Sequence, residues 1–166
     1  MKTEIIFFII VAIFFGSYLF GKYPRYKYKR ALKLIANSQY EKATSILQNI
    51  FYKIPEAPSK IAECKLKLGS IENLEITVAR KYFYEILDIK SKLNNKSNKG
   101  LYEVIEGRAF YKIHQLKFIE IIQNKSLKEN EKITEIKNNL DSIKEIASGF
   151  SDVDYSDLIN THRKKI

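Results

Sequence analysis

The sequence predicts an all-α fold, on three observations. Apolar residues recur at three- and four-residue spacing along most of the chain beyond residue 22. The breaks between those stripes carry Asn, Ser, Gly and Pro. No run alternates strictly by two between hairpin turns, although isoleucine, a good strand former, is plentiful. A length of 166 residues suits one helical domain with a modest core. One cysteine excludes an intrachain disulfide framework and any multi-cysteine zinc site. An apolar share of 45% excludes a wholly disordered chain. The expected architecture is an N-terminal transmembrane helix followed by antiparallel helical hairpins, stacked as a solenoid or gathered as a small bundle. It divides into an anchor over 1–21, a basic juxtamembrane region and first body helix over 22–36, a hairpin domain over 37–149, and a short C-terminal helix with a basic tail over 150–166.

The anchor is read from Ile5–Phe20, IIFFIIVAIFFGSYLF, which holds no charged residue. Half of the ten phenylalanines fall here, more than a soluble core of this size needs. Thr3–Gly21, between Lys2 and Lys22, rises roughly 28 Å as a helix, against about 30 Å of hydrocarbon. The flanking lysines can snorkel, and Tyr18, Tyr23 and Tyr26 suit an interfacial belt. Two other readings stand beside a retained span. A cleaved signal peptide needs small residues before the cut, whereas Gly16 and Ser17 have bulky neighbours. A buried core helix is the other, and a domain of this size has no core large enough to enclose a segment apolar on every face.

The basic charge sits next to that segment. Residues 22–70 hold eleven Lys and Arg against three acids, a net +8, and residues 71–166 carry only +2. Lys22, Arg25, Lys27, Lys29, Arg30 and Lys33 precede the first body acid, Glu41. The positive-inside bias then predicts one pass through a cell inner membrane with the body in the cytoplasm. The same six side chains are expected to meet anionic lipid headgroups, at about 1 kcal/mol each near the leaflet. Tyrosines interleaved through YPRYKYKR could stack on bases. No recognition helix, zinc-finger spacing or RNP-like strand accompanies them, so nucleic acid is not an expected partner.

The body helices follow in order. The first opens near Pro24, tolerated in a first turn, with Tyr28, Ala31, Leu34 and Ile35 on one face. Asn37-Ser38 is a turn. Tyr40–Ile54 is the second helix, on Ala43, Ile46, Leu47, Ile50 and Ile54, stopped by Pro55 and Pro58. Ser59 caps the third, to Leu68, with Ile61, Cys64 and Leu68 inward. Cys64 reads as a small core residue rather than a nucleophile, since no histidine neighbours it. Gly69-Ser70 breaks the chain before a fourth helix over 72–93, with Ile76, Ala79, Phe83, Ile86 and Leu87 on its stripe. Asn94–Gly100 is a polar loop. Leu101–Gln123 is the fifth helix, or two helices divided near His114, with Leu101, Val104, Ile105, Ala109, Leu116, Ile119 and Ile122 at helical spacing. Leu127–Ala147 is the sixth, on Ile133, Ile136, Leu140 and Ile143, with Gly149 as its stop. Ser151 or Asp152 caps a final helix carrying Val153, Tyr155, Leu158 and Ile159, and the closing HRKKI frays.

The stretch Asn37–Pro55, NSQYEKATSILQNIFYKIP, resembles the second half of a tetratricopeptide repeat. Ser38, Tyr40, Ala43, Leu47, Ile50 and Pro55 stand at that family's turn, aromatic, small, packing and closing positions, with Ala31 and Leu34 at places in the preceding helix. A small residue at Ala43 lets two helices approach, and Pro55 closes the hairpin. Ala79, Phe83 and Ile86 repeat the Ala43, Leu47, Ile50 spacing thirty-six residues later rather than thirty-four, and Gly107 with Phe110 echoes the family's small-then-aromatic pattern. The similarity covers about residues 25–87. It implies a protein-binding scaffold whose concave groove is lined by the first helix of each pair, with Lys27, Tyr28 and Ala31 approaching it.

No chemistry is read from the chain. His114 and His162 lie far apart, and no HExxH, Walker, GxGxxG or GxSxG motif occurs. Asp152, Asp154 and Asp157 lack the glycine and terminal glutamate of a calcium loop and suit a helix start better. No catalytic, cofactor-binding or metal residue is therefore assigned, and the chain is not expected to be an enzyme. The expected role is a membrane-anchored helical adaptor that binds or positions a partner protein. An exported, membrane-tethered or secreted envelope domain is the first alternative, and an accessory subunit that folds with its partner is the second. A second copy of the chain is another candidate cover for an exposed apolar face.

Overall fold

A computed structural model describes Gly16, residues 22–95 and residues 97–166. Apart from Gly16, which is helical, the expected span over 1–21 lies outside the described residues. No helix among the described residues is long and apolar enough to cross a membrane. Their regular structure is all helical, as the period of the apolar residues predicts.

Residues 22–36 form α1, already helical at Lys22, two residues before the expected start at Pro24. Its end is hydrogen-bonded as a Schellman motif: Ser38 N–H donates to the Ile35 carbonyl at 2.9 Å and Gln39 N–H to that of Leu34 at 2.8 Å. Ser38 takes the left-handed position that this motif requires, at φ 57°. Next, α2 spans Tyr40–Gln48, six residues shorter than expected. Asn49 Nδ2 donates to the Ser45 carbonyl, and Ile50, Phe51 and Lys53 close three-residue turns instead of helical ones. Ile50 and Ile54 are still buried, so the periodicity found core residues and missed the helix end.

Helix α3 spans Ala57–Gly69, with Pro58 in its first turn. Ser59 is therefore not its cap. It is fully buried, and its Oγ donates to the Asn98 carbonyl at 3.1 Å. Asn98 N–H in turn donates to the Pro55 carbonyl at 3.1 Å, and Asn98 Oδ1 accepts from Leu101 N–H. That one asparagine ties the α2–α3 turn to the start of α5 (Lys99–Gln123) and caps α5 as well. Between them lies α4, Ile76–Lys90, shorter at both ends than its apolar stripe predicts. Gly69 is a packing position as well as a helix end: a Cβ there would lie 2.6 Å from the buried Phe83 ring.

Helix α5 is unbroken through His114. Its buried side includes Tyr102, Ile105, Ala109, Ile113 and Ile121, while the expected Leu101 and Ile122 are exposed. Helix α6, Glu129–Gly149, starts where Glu131 accepts from Lys128 N–H. Helix α7, Ser156–Arg163, is capped by neither Ser151 nor Asp152; Asp154 Oδ1 takes the Ser156 N–H at 2.8 Å and its hydroxyl. His162 belongs to this helix and is fully buried, so the closing basic stretch does not fray as a unit.

Two apolar clusters result. The larger runs from Ala31 on α1 through Ala43, Leu47, Ile61, Cys64, Phe83 and Ile86 to Ala109 and Ile113 on α5. The smaller gathers Ile143, Tyr155 and Leu158 with Tyr111, Phe150 and Val153. Helix α3 packs on α2, α4 and α5, and α5 also meets α4, α6 and α7. The long α5 therefore belongs to both clusters and joins them.

Candidate interaction groove

Helices α3 and α5 pack directly against each other, and a trough follows from the side chains they turn away from the core. On α3, Lys60, Glu63 and Lys67 recur by three and four, on a strip beside the face that buries Ile61, Cys64 and Leu68. On α5, Leu101, Val104, Arg108 and Lys112 recur at the same spacing. The cavity between these rows has a volume of about 710 Å³, and Leu66, Tyr111 and Val153 complete its apolar lining. Val153 and Asp154, from the α6–α7 linker, close one side.

The linker is held there by α5 itself. The Tyr155 hydroxyl donates to the Gly107 carbonyl at 2.6 Å, and a Cβ on Gly107 would lie 2.9 Å from Phe150 and Val153. Burial, with Glu106 nearby, pushes the Tyr155 phenol up to about 12, which keeps it a neutral donor.

The groove is lined by four cations and two acids. Lys60 Nζ and Glu63 Oε2 pair at 2.7 Å, and that hydrogen bond raises the Lys60 pKa above its usual value. The Ser156 hydroxyl and N–H hold the Asp154 carboxyl below its usual value, so it stays ionised. Lys112 donates to Gln115 at 3.1 Å, a neutral partner, and its Nζ lies 5.9 Å from the Tyr111 ring centre. Arg108 and Lys67 are exposed. Positive charge therefore prevails along both walls.

The six cations expected to meet lipid headgroups occupy α1. Lys22, Arg25, Lys29, Arg30 and Lys33 are exposed, and Lys27 is half-buried with its Nζ 4.6 Å from the Tyr23 ring centre. Exposed Tyr23 and Tyr26 accompany them. Of the residues expected near a groove, Ala31 is fully buried in the core. Tyr28 is half-buried against the large core cluster, and burial together with Glu56 and Glu63 raises its phenol pKa. Lys27 does not line the trough. The sequence signal that was missed is the i, i+7 pair Lys60–Lys67 with the i, i+4 pair Arg108–Lys112.

Other reactive groups have structural partners. Cys64 is wholly buried, and desolvation pushes its thiol up to about 11, so it holds its proton at neutral pH. His114 and His162, distant in sequence, meet at Asn139. His114 Nδ1 lies 2.6 Å from Asn139 Oδ1, and Asn139 Nδ2 lies 3.1 Å from the His114 carbonyl and 2.8 Å from His162 Nε2. His162 Nδ1 lies 2.7 Å from the Leu158 carbonyl. That carbonyl only accepts, so Nδ1 carries the hydrogen and Nε2 receives one from Asn139. Every contact is satisfied with both rings neutral, and burial lowers both pKa values. Among the described residues, no group of three or more His, Cys, Asp or Glu side chains is placed to hold a metal ion.

Comparison with known proteins finds no matching family model, no matching curated protein and no matching solved structure.

Proposed function

We propose that this chain is a membrane-anchored helical adaptor that offers the α3–α5 groove to a partner protein. The observation that carries the reading is the groove itself: an open, basic trough with exposed apolar side chains and no buried polar group aimed into it. Leu101 is 41% exposed on its wall. Apolar side chains held in such a trough lower the free energy of a bound surface that covers them.

The resemblance to tetratricopeptide repeats supports the same use. Counting α1–α2, α3–α4 and α5–α6 as pairs, α3 and α5 are first helices, the ones expected to line a concave face. Their direct packing agrees with stacked pairs. Ala43, Leu47 and Ile50 are buried, as the repeat positions require. The anchor is proposed from Thr3–Gly21, and the exposed cations of α1 then lie at the cytoplasmic leaflet.

A photo-crosslinking residue at Leu101 of the full-length chain tests the groove in intact cells. The reading expects a discrete protein adduct at Leu101 and none at Lys137, an exposed position on α6. Equal labelling at the two positions, or none at either, contradicts it.

A further inference from the structure

We infer that the groove's occupant is an acidic, extended segment of another protein that carries at least one aliphatic side chain. The inference rests on the adaptor reading above and names the chemistry of its partner.

Charge complementarity decides the sign. Lys60 is matched by Glu63 at 2.7 Å, and Asp154 is the one other acid of the lining, against Lys67, Arg108 and Lys112. The two walls present their cations in rows, Lys60 and Lys67 one heptad apart on α3, Arg108 and Lys112 one turn apart on α5. A basic segment meets repulsion from both rows, and an acidic one is drawn in and aligned along them. Val104 and Leu101 continue the α5 row N-terminal to Arg108 and give an aliphatic side chain its contact.

The lining also favours a polypeptide over other anionic ligands. Small polar ligands are oriented by a few convergent buried groups, and every charged side chain here is at least partly exposed. A nucleic-acid strand needs stacking platforms and a continuous positive track. The groove offers one tyrosine, Tyr111, and interrupts its cations with Glu63 and Asp154.

The test uses the full-length chain in nanodiscs of zwitterionic lipid, with fluorescence anisotropy of labelled probes. The probes are a Glu/Leu peptide, a Glu/Gly peptide of equal charge, a Lys/Leu peptide and an oligothymidine. The Glu/Leu peptide should bind most tightly, and raising salt from about 50 to about 500 mM should weaken it. Arg108→Glu with Lys112→Glu should weaken it by at least about tenfold. Lys125→Glu with Lys137→Glu, exposed sites outside the groove, should leave it unchanged. Circular dichroism of each variant checks folding, and Lys67→Glu supplies an independent groove variant. Absent binding, equal binding of Lys/Leu or Glu/Gly, tighter binding of oligothymidine, or indifference to both groove variants overturns the inference. The adaptor reading fails separately: an adduct at Leu101 to a neutral or basic segment rejects acidic chemistry and leaves the adaptor standing.

Discussion

Asn139 shows what one side chain can hold in this protein. Its amide joins α5, α6 and α7 by bridging two histidines that sequence distance keeps apart. Asn139→Ala strands donors and acceptors in a site that is fully buried, at a cost of about 2–4 kcal/mol, seen as a lower urea midpoint. An unchanged midpoint would show that the network contributes nothing. The histidines also fix a pH dependence. Their folded pKa values lie below the ordinary 6.5 through burial, with Lys117 adding to the effect at His114 and His114 to that at His162. Below about pH 6.5 the unfolded chain therefore binds more protons than the folded one, and stability falls as pH drops through the folded values. These are the only two histidines, so urea midpoints between about pH 7.5 and about pH 5 should fall, and His114→Gln with His162→Gln should flatten the slope. A wild-type midpoint that is level over this range contradicts the neutral network. Ser38 works in the opposite sense. At φ 57° it holds the left-handed position with a Cβ, so Ser38→Gly should raise stability by about 0.5–1 kcal/mol. A loss of stability there would mean that the hydroxyl matters more than the backbone.

Two glycines sit where a neighbour leaves no room for a side chain. At Gly69 an added methyl meets the Phe83 ring, which is 1% exposed and enclosed by core neighbours. At Gly107 it meets Phe150 and Val153, which are half-buried around the α6–α7 linker. The fixed neighbour makes the first change more costly, so Gly69→Ala should lose about 1–3 kcal/mol and Gly107→Ala less, despite alanine's better helix propensity at both. Thermal unfolding ranks them, and the reverse order contradicts this picture of a rigid core beside a yielding linker. Element existence was legible in the sequence because each stripe has a helical period. Element ends were not, because they depend on distant partners. Ser59 reads locally as a cap, yet its hydroxyl reaches Asn98, 39 residues away. Asp154, not Asp152, accepts the Ser156 N–H at the start of α7, on the linker that Tyr155 ties to Gly107. The groove stayed hidden for a related reason: Leu101 fits the α5 stripe, yet it is exposed on the groove wall.

At the scale of the molecule, a rigid helical body carries its basic helix at one end and its groove along α3 and α5. Helix α1 shares the large core cluster through Ala31, so the cations of α1 are fixed to the body rather than to a free tail. The body should therefore sit at anionic lipid in a defined orientation. Replacing Arg25, Lys29 and Arg30 with glutamate should reduce co-sedimentation of residues 22–166 with anionic vesicles and leave their negligible binding to zwitterionic vesicles unchanged. Equal sedimentation of both forms would remove the leaflet contact. The adaptor role rests above all on the uncharged run from Ile5 to Phe20 residing in a bilayer. Alkaline carbonate extraction of membranes from cells making the full-length chain tests that most directly. The account predicts that the protein stays in the pellet until detergent is added; its release into the carbonate supernatant would contradict it.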